Sequence, residues 1–469
     1  MDMRVSISKP AKYSTIIFYL LAFFICAAFA LGGSARDDVQ SLVFLRPIAA
    51  LGLGIGLWLV SRADAARFRV PIALALACLA LPLLQLVPLP PAIWAALPGH
   101  EADVQAVALA GIAPSWRPIS LTPARTLNSV FALFVPLAAM VLAIVVPRER
   151  RFALLPLLIA LGLASGVLGL LQVIGAQDSG FYLYRITNNG SSVGLFANRN
   201  HQALMLALLF PMLAVFASTG LKSVEQARVR GWIAIGAGAL VLPLLLVTGS
   251  RSGVLLGAIG LASIFLLYRR PEFDRPAKRK ARSISPRYWL IAGGALALLL
   301  VAILLSRAPS LDRLVQGGEV EDMRLAIWGP IAAMAHAYFP FGSGIGSFVE
   351  TYQAGEPRAL LSSYYFNHAH NDWLEASLTG GVFAILLMVA FLLTGLRLAL
   401  TLFGKTGSVH RDIVFARLGM VVLFIFSVGS VFDYPGRVPS LAALCSISMI
   451  WITSGWRIIV EEKAHSGEK

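Results

Sequence analysis

Apolar runs of about 20 residues recur along almost the whole chain, and nothing else in the sequence constrains the fold as strongly. A backbone in hydrocarbon must satisfy its own hydrogen bonds, so runs of this length form helices. Twelve candidate spans lie near 14–33, 42–61, 70–88, 126–146, 152–175, 200–218, 231–248, 252–268, 288–306, 373–396, 414–432 and 439–456. Composition agrees: 58% of the residues are hydrophobic and 13% are charged, where a soluble domain carries about 25%. The expected fold is an all-α polytopic membrane protein, one integral membrane domain over residues 1–469. The first run follows a basic start with Arg4, Lys9 and Lys12. It is long enough to span and many runs follow it, so it reads as an uncleaved first helix rather than a signal peptide.

The net charge of +15 would point to nucleic acid in a soluble chain. Here no soluble module exists to hold nucleic acid, and cationic residues have another use: they mark the cytoplasmic side. With the N-terminus inside, 27 of the 39 Lys and Arg fall in inside segments. The remaining twelve are all Arg. Both termini are therefore expected in the cytoplasm. The basic run 269–287 reads as a topology anchor that touches anionic membrane lipid. Three long segments then lie outside, near 89–125, 176–199 and 307–372. Long loops in compact proteins tend to carry function, so the active face is expected outside, periplasmic or extracellular. No cytosolic cofactor reaches that face, and a substrate there must bring its own activation.

Cys26, Cys78 and Cys445 sit in separate apolar runs with no CxxC neighbour. This argues against disulfide or metal chemistry. The stretch "NHAHNDWLEASLTGG", 367–381, crowds polar and ionisable groups against a long apolar segment. Asn371 or Asp372 can cap a helix starting near Trp373, but a cap does not need two histidines. Histidine is the usual general base near neutral pH, which makes His368 and His370 candidates. A metal pair is the rival reading, and zinc wants three or four ligands; no further cluster at ligand spacing is present, so no metal is expected.

Other outer segments carry arginine. Arg251 lies in "TGSRSG", between two spans, where an interfacial snorkelling role is the plain alternative. Arg324 lies in "EDMRLAIWGPIAAMAHAYFP". With Ile327, Trp328 and Ile331 this segment reads as an amphipathic helix lying along the membrane surface. "FGSGIGSF" lacks the dinucleotide-binding spacing and reads as a tight turn. "GLFANRNHQALM" adds Arg199 and His201. "DYPGRVPS" adds Asp433 and Arg437, read first as a structural pair. Arginine suits bidentate recognition of phosphate.

Taken in order, "GLFANRNHQALM", "TGSRSG", "RLAIW", "PFGSGIGSF", "HAHNDWLEASLTGGV" and "DYPGRVPS" resemble the successive motifs of the O-antigen ligase and O-antigen polymerase superfamily. "WRPISLTPARTL" resembles its upstream periplasmic segment. The resemblance runs from about residue 116 to 440 and includes twelve spans and a large late periplasmic loop, here 307–372 with its amphipathic helices. It implies a membrane glycosyltransferase, metal-independent, that moves an undecaprenyl-pyrophosphate-linked glycan onto a sugar hydroxyl at the periplasmic face. The ligase branch uses two arginines and a histidine, which fall by motif and order on Arg251, Arg324 and His370. Two departures stand out: Thr379 where the family often has an acidic residue, and Ala384 where it has a second glycine.

On this resemblance His370 is the catalytic base, and Arg251 and Arg324 clamp the leaving pyrophosphate, with help from Arg199. His368, Asn371 and Asp372 orient the base or the acceptor. A single displacement inverts the anomeric centre and needs no cofactor. The acceptor is lipid A core in a ligase, or the next lipid-linked glycan in an O-antigen or exopolysaccharide polymerase. A polysaccharide transporter is the rival class, but transporters place ionisable groups near the midplane, and here they lie at span ends.

Overall fold

The computed structural model describes residues 11–175, 180–271, 319–361, 365–404 and 410–466. The described residues are mostly helical. Among the described residues the only paired strands are Pro88–Leu89 and Arg117–Pro118, antiparallel with Pro88 opposite Pro118. Among the described residues nine helical stretches are long and apolar enough to cross a membrane, and two shorter apolar helices, Arg69–Gln85 and Arg251–Leu267, accompany them. Each coincides with an expected span. The remaining expected span, 288–306, and nearly all of the basic 269–287 run lie outside the described residues.

The first five helices are α1 Ala11–Leu31, α2 Leu42–Leu59, α3 Arg69–Gln85, α4 Pro123–Ala132 and α5 Phe134–Val145. The sequence predicts a single span over 126–146; the structure divides it at Leu133. Pro136 supplies the reason, since it has no N–H to donate to the carbonyl of Ala132, four residues earlier. Next come α6 Leu154–Ile174, α7 Arg199–Ser218, α8 Val224–Val247 and α9 Arg251–Leu267. Beyond its polar first turn the α7 helix is apolar on all sides, and it is the most deeply buried of the described spans. A helix with no polar face has to sit in the middle of a bundle. It packs against α6, α8, α9 and the later α14 Arg411–Phe432. Pro211 frees the carbonyl of Ala207 on α7, and Gly260 of α9 lies against it. A Cβ at Gly260 would stand 2.5 Å from that oxygen, so the close approach of the two helices depends on a small residue.

The late segment folds into α10 Glu319–Ala326, α11 Trp328–Ala337 and α12 Phe348–Gly355. Ile327, Ile331, Phe348, Tyr352, Phe366 and Leu378 form its own small core. The apolar side expected to face lipid at Ile327 and Ile331 is thus met by protein.

α13 spans Asp372–Gly404 but is broken at Gly381, whose φ is 59°. A side chain there is excluded twice, by that conformation and by the carbonyl of Pro340, 2.1 Å from where a Cβ would stand. The expected glycine turn at 342–346 is present and fills this break. Ser343 and Gly344 donate their N–H groups to the carbonyls of Leu378 and Thr379 at 3.1 and 2.9 Å, and Val382 donates to Pro340 at 2.8 Å. Carbonyls and amides left over by the interrupted helix are therefore satisfied by the turn. Gln85 pins the joint: its Nε2 donates to Thr379 and its Oε1 accepts from Ile345, at 2.9 and 2.8 Å. Thr379, one of the two family departures, belongs to this joint. The last helices are α14 and α15 Pro439–Ser466.

At the end of the bundle opposite α10–α12, Arg148 makes a two-pronged pair with buried Asp412 at 2.8 and 2.7 Å. Buried Arg151 donates to the carbonyls of Ala143, Ile144 and Val146, and so caps the end of α5.

Candidate active site

The polar residues of four motifs meet at one end of the bundle because each begins or ends a helix. The loop before α7 is folded back by Gln172 of α6. Its Nε2 donates to Phe181 and Gly194, both at 2.9 Å, and its Oε1 accepts from Val193 and Gly194 at 3.0 and 2.7 Å. This brings in Asn198, the N-cap of α7, which accepts from the N–H of Asn200 at 2.9 Å. Ser250 is the N-cap of α9, accepting from Gly253 at 2.9 Å and donating its hydroxyl to Asn200 Oδ1 at 2.7 Å. Both caps are of the residue types that satisfy orphan helix amides. Arg199 and Arg251, one residue past each cap, open their helices at this same end. Arg199 is half-buried and Arg251 exposed.

Asp433 ends α14 in extended backbone and is buried. Its Oδ2 accepts from Asn198 and Asn200 at 2.9 and 2.7 Å. Its Oδ1 accepts from the Tyr434 amide and from His370 Nδ1, both at 3.0 Å. Burial by itself pushes this carboxyl's pKa up. The His370 bond and charge, followed by His201 and Arg324, outweigh burial and hold it far below the usual carboxylate range. An ionised carboxylate only accepts, so His370 Nδ1 carries a proton and Nε2 keeps its lone pair. The imidazole's pKa is lowered, first by burial and then by the Arg324 charge, against the opposing pull of Asp433. The Asp433 bond thus fixes the tautomer, and the lowered pKa favours the neutral imidazole. The φ of His370, 49°, is the one left-handed value outside glycine among the described residues, a conformation uncommon enough to mark a functional constraint.

Arg324, on α10, stands near enough for its charge to act on both His370 and Asp433. Its Nε is buried with no hydrogen-bond partner among the described residues. A buried cationic donor without an acceptor is costly, and an anionic ligand removes that cost.

The second histidine faces the other way. His368 Nδ1 bonds Glu375 Oε1 at 3.0 Å, and Glu375 Oε2 accepts from the Ala369 amide at 2.9 Å. Glu375 is fully buried and also holds Arg437 Nη2 at 3.1 Å. Arg437 Nε meets Asp372 Oδ1 at 3.2 Å. The expected Asp433–Arg437 pair is therefore not the pairing observed: each binds a partner from 368–375 or 198–200 instead. Asn371, rather than Asp372, caps α13, accepting from Leu374 at 3.0 Å. Tyr434 separates the two histidines, its ring 4.3 Å from His368 and 5.0 Å from His370 between centroids. Burial, and next the Asp433 charge, push its phenol up to about 12.

The fold therefore brings His370, His368, Arg324, Asn371 and Asp372 together with the helix starts that carry Arg199 and Arg251. Asn198, Asn200, Ser250, Glu375 and Tyr434 complete the arrangement and were not singled out from sequence. Two of them flank Arg199 in "NRN", and Glu375 lies one helical turn beyond Asn371; cap positions were the available signal. Among the described residues no group of three or more His, Cys, Asp or Glu side chains is placed to hold a metal ion.

Residues 236–389 match the family model described as O-antigen ligase. The match takes in Arg251, Arg324, His368 and His370, and it supports the O-antigen ligase and polymerase superfamily recognised from the motifs. It implies glycosyl transfer of that general type, on lipid-linked glycans, by an integral membrane protein. No curated protein matches the chain.

Proposed function

We propose that this chain, whose residues 236–389 match the O-antigen ligase family model, transfers a glycan from undecaprenyl pyrophosphate to a sugar hydroxyl at the periplasmic face of the inner membrane. The observation that carries the reading is His370, held by Asp433 with Nε2 left to act as base, beside Arg324 with an unsatisfied buried donor. In this reading His370 Nε2 takes the proton of the acceptor hydroxyl as its oxygen attacks the anomeric carbon. A positioned base of this kind contributes about 10²–10⁴-fold. The bond from that carbon to the pyrophosphate breaks, and its electrons leave with the phosphate oxygen. Arg324 and Arg251, with Arg199, stabilise the charge that develops there. Asp433 stabilises the imidazolium formed. One displacement inverts the anomeric centre, and the activated donor asks for neither cofactor nor metal.

The acceptor in this reading is lipid A core, which makes the chain a ligase; a polymerase would extend a lipid-linked repeat with the same residues. Glycans from cells lacking the gene, complemented with wild type or His370→Ala, separate the two. Polymer left on the carrier with bare core is the ligase result. Single repeats on core or carrier, or loss of a secreted polysaccharide, is the polymerase result. Unchanged glycans in both would overturn the transferase reading.

A further inference from the structure

Asp433 accepts four hydrogen bonds, from Asn198, Asn200, the Tyr434 amide and His370. Four donors fill the lone pairs of a carboxylate. A fifth polar group nevertheless faces it. His201, in the first turn of α7, is 2% exposed, and its Nε2 stands 3.9 Å from Asp433 Oδ1. That oxygen is the one that holds His370. The contact is too long for a hydrogen bond. Both ring nitrogens of His201 are buried with no hydrogen-bond partner among the described residues.

A neutral imidazole always carries one N–H, so a buried donor is left unsatisfied in either tautomer, at a cost in stability. Packing does not require it. The ring meets Tyr434 edge-on, 5.1 Å between centroids at 76°, and a Phe ring makes such a contact as well. Charge distinguishes the two rings. A lone pair turned to an anionic oxygen is repelled, so the nitrogen near Asp433 carries the proton. Its N–H dipole then acts on Oδ1 in a buried setting, where such interactions are strong. The other ionisable groups around His201 are His370 and His368 before α13, Tyr434 after α14, and Arg324 on α10.

We infer that His201 is a positioning residue for the base: its Nε2–H weakens the pull of Asp433 on the Nδ1 proton of His370 and so sets how basic the free Nε2 of His370 is. When His370 gains a second proton, the same dipole keeps the first on the imidazole rather than on the carboxylate. The word base rests on the transferase reading; the influence of His201 on the titration of His370 rests on the geometry around Asp433 alone.

The test uses the purified full chain in nanodiscs. Hydrogen exchange at imidazole C2, read by mass spectrometry, titrates each histidine without turnover. His201→Phe keeps the ring and loses the donor. More negative charge is then left beside His370, which favours its protonated form. The His370 midpoint is expected to rise by about half a unit or more, and the acid limb of glycan transfer moves to higher pH with it. His201→Gln, whose side-chain amide can donate to the same oxygen, returns both to the wild-type position. His201→Met, apolar and adaptable in shape, repeats the Phe result, so poor packing of one side chain does not decide it. Both apolar variants are expected to melt no lower than wild type, because an unsatisfied polar group has been removed. An unmoved midpoint in Phe and Met, or a shift to lower pH, overturns the inference. So does a Gln variant that titrates like Phe. Lower melting temperatures with an unmoved midpoint would assign His201 to packing alone. Normal glycan from His370→Ala, with the His201-dependent shift intact, would instead sink the transferase reading and leave the coupling between the two histidines standing.

Discussion

His370 can act as a base only while it is neutral, and its neighbours decide the pH at which that holds. Burial and the Arg324 charge lower its pKa from the ordinary value of 6.5, and Asp433 raises it. The neutral form is the one present above the pKa, so activity is expected to rise with pH along an acid limb set below the ordinary histidine range. Arg324→Gln removes a lowering charge. The acid limb then moves to higher pH, in addition to any loss of rate. Asp433→Asn removes the raising partner, so the limb moves to lower pH. The same change lets Nδ1 lose its fixed proton, and the rate falls by about 10² or more. A pH–rate profile on reconstituted protein reads both shifts. If the two variants move the limb in the same direction, the charge assignment is wrong. Of this arrangement the sequence displayed the histidines and arginines plainly. It hid their pairing: Asp433 and Arg437 are four residues apart and look like partners, yet one ends a helix and the other sits in the following turn, so they point to different neighbours.

At the scale of elements, apolar runs identified the helices and missed their interruptions. A break in a buried helix does not change hydrophobicity; it changes which backbone groups need partners, and those partners come from distant segments. The joint at Gly381 is the clearest case, since it is completed by residues 340–345 and by Gln85. Gly381→Ala is expected to destabilise strongly, because a Cβ would clash with a carbonyl 2.1 Å away in a backbone conformation that disfavours side chains. The cost falls among the large point-mutation effects, about 4 kcal/mol or more, unless the turn lets go. Thermal unfolding in detergent measures it, and a melting temperature equal to wild type would refute the joint. Ser250→Ala tests a milder element. It loses an N-cap, at about 0.5–2 kcal/mol, together with the bond that orients Asn200. Transfer should therefore fall by more than stability does. Equal residual activity and stability would show that the cap is only structural.

For the whole molecule, the polar residues of the site gather at one end because helix caps gather at helix ends, and Arg36, Arg125 and Arg437 of the arginine-only segments lie at that end too. Lysine and most arginine belong to the other end in the reading that follows the positive-inside rule. The chemistry depends on that orientation, because a donor presented at the periplasmic face cannot reach a site that faces the cytoplasm. Two exposed positions on opposite ends test it. Arg358 lies in the short helical turn after α12, and Lys222 lies between α7 and α8. In a variant with Cys26, Cys78 and Cys445 replaced, Arg358→Cys should react in spheroplasts with a thiol reagent that cannot cross the membrane. Lys222→Cys should react only after the membrane is opened. These two residues are chosen because neither touches the site, so labelling reports orientation and not a damaged fold. The reverse pattern would place His370 and Arg324 on the cytoplasmic side. The periplasmic assignment would then fail, while the cap-built geometry around Asp433 would remain to be explained by a cytoplasmic substrate.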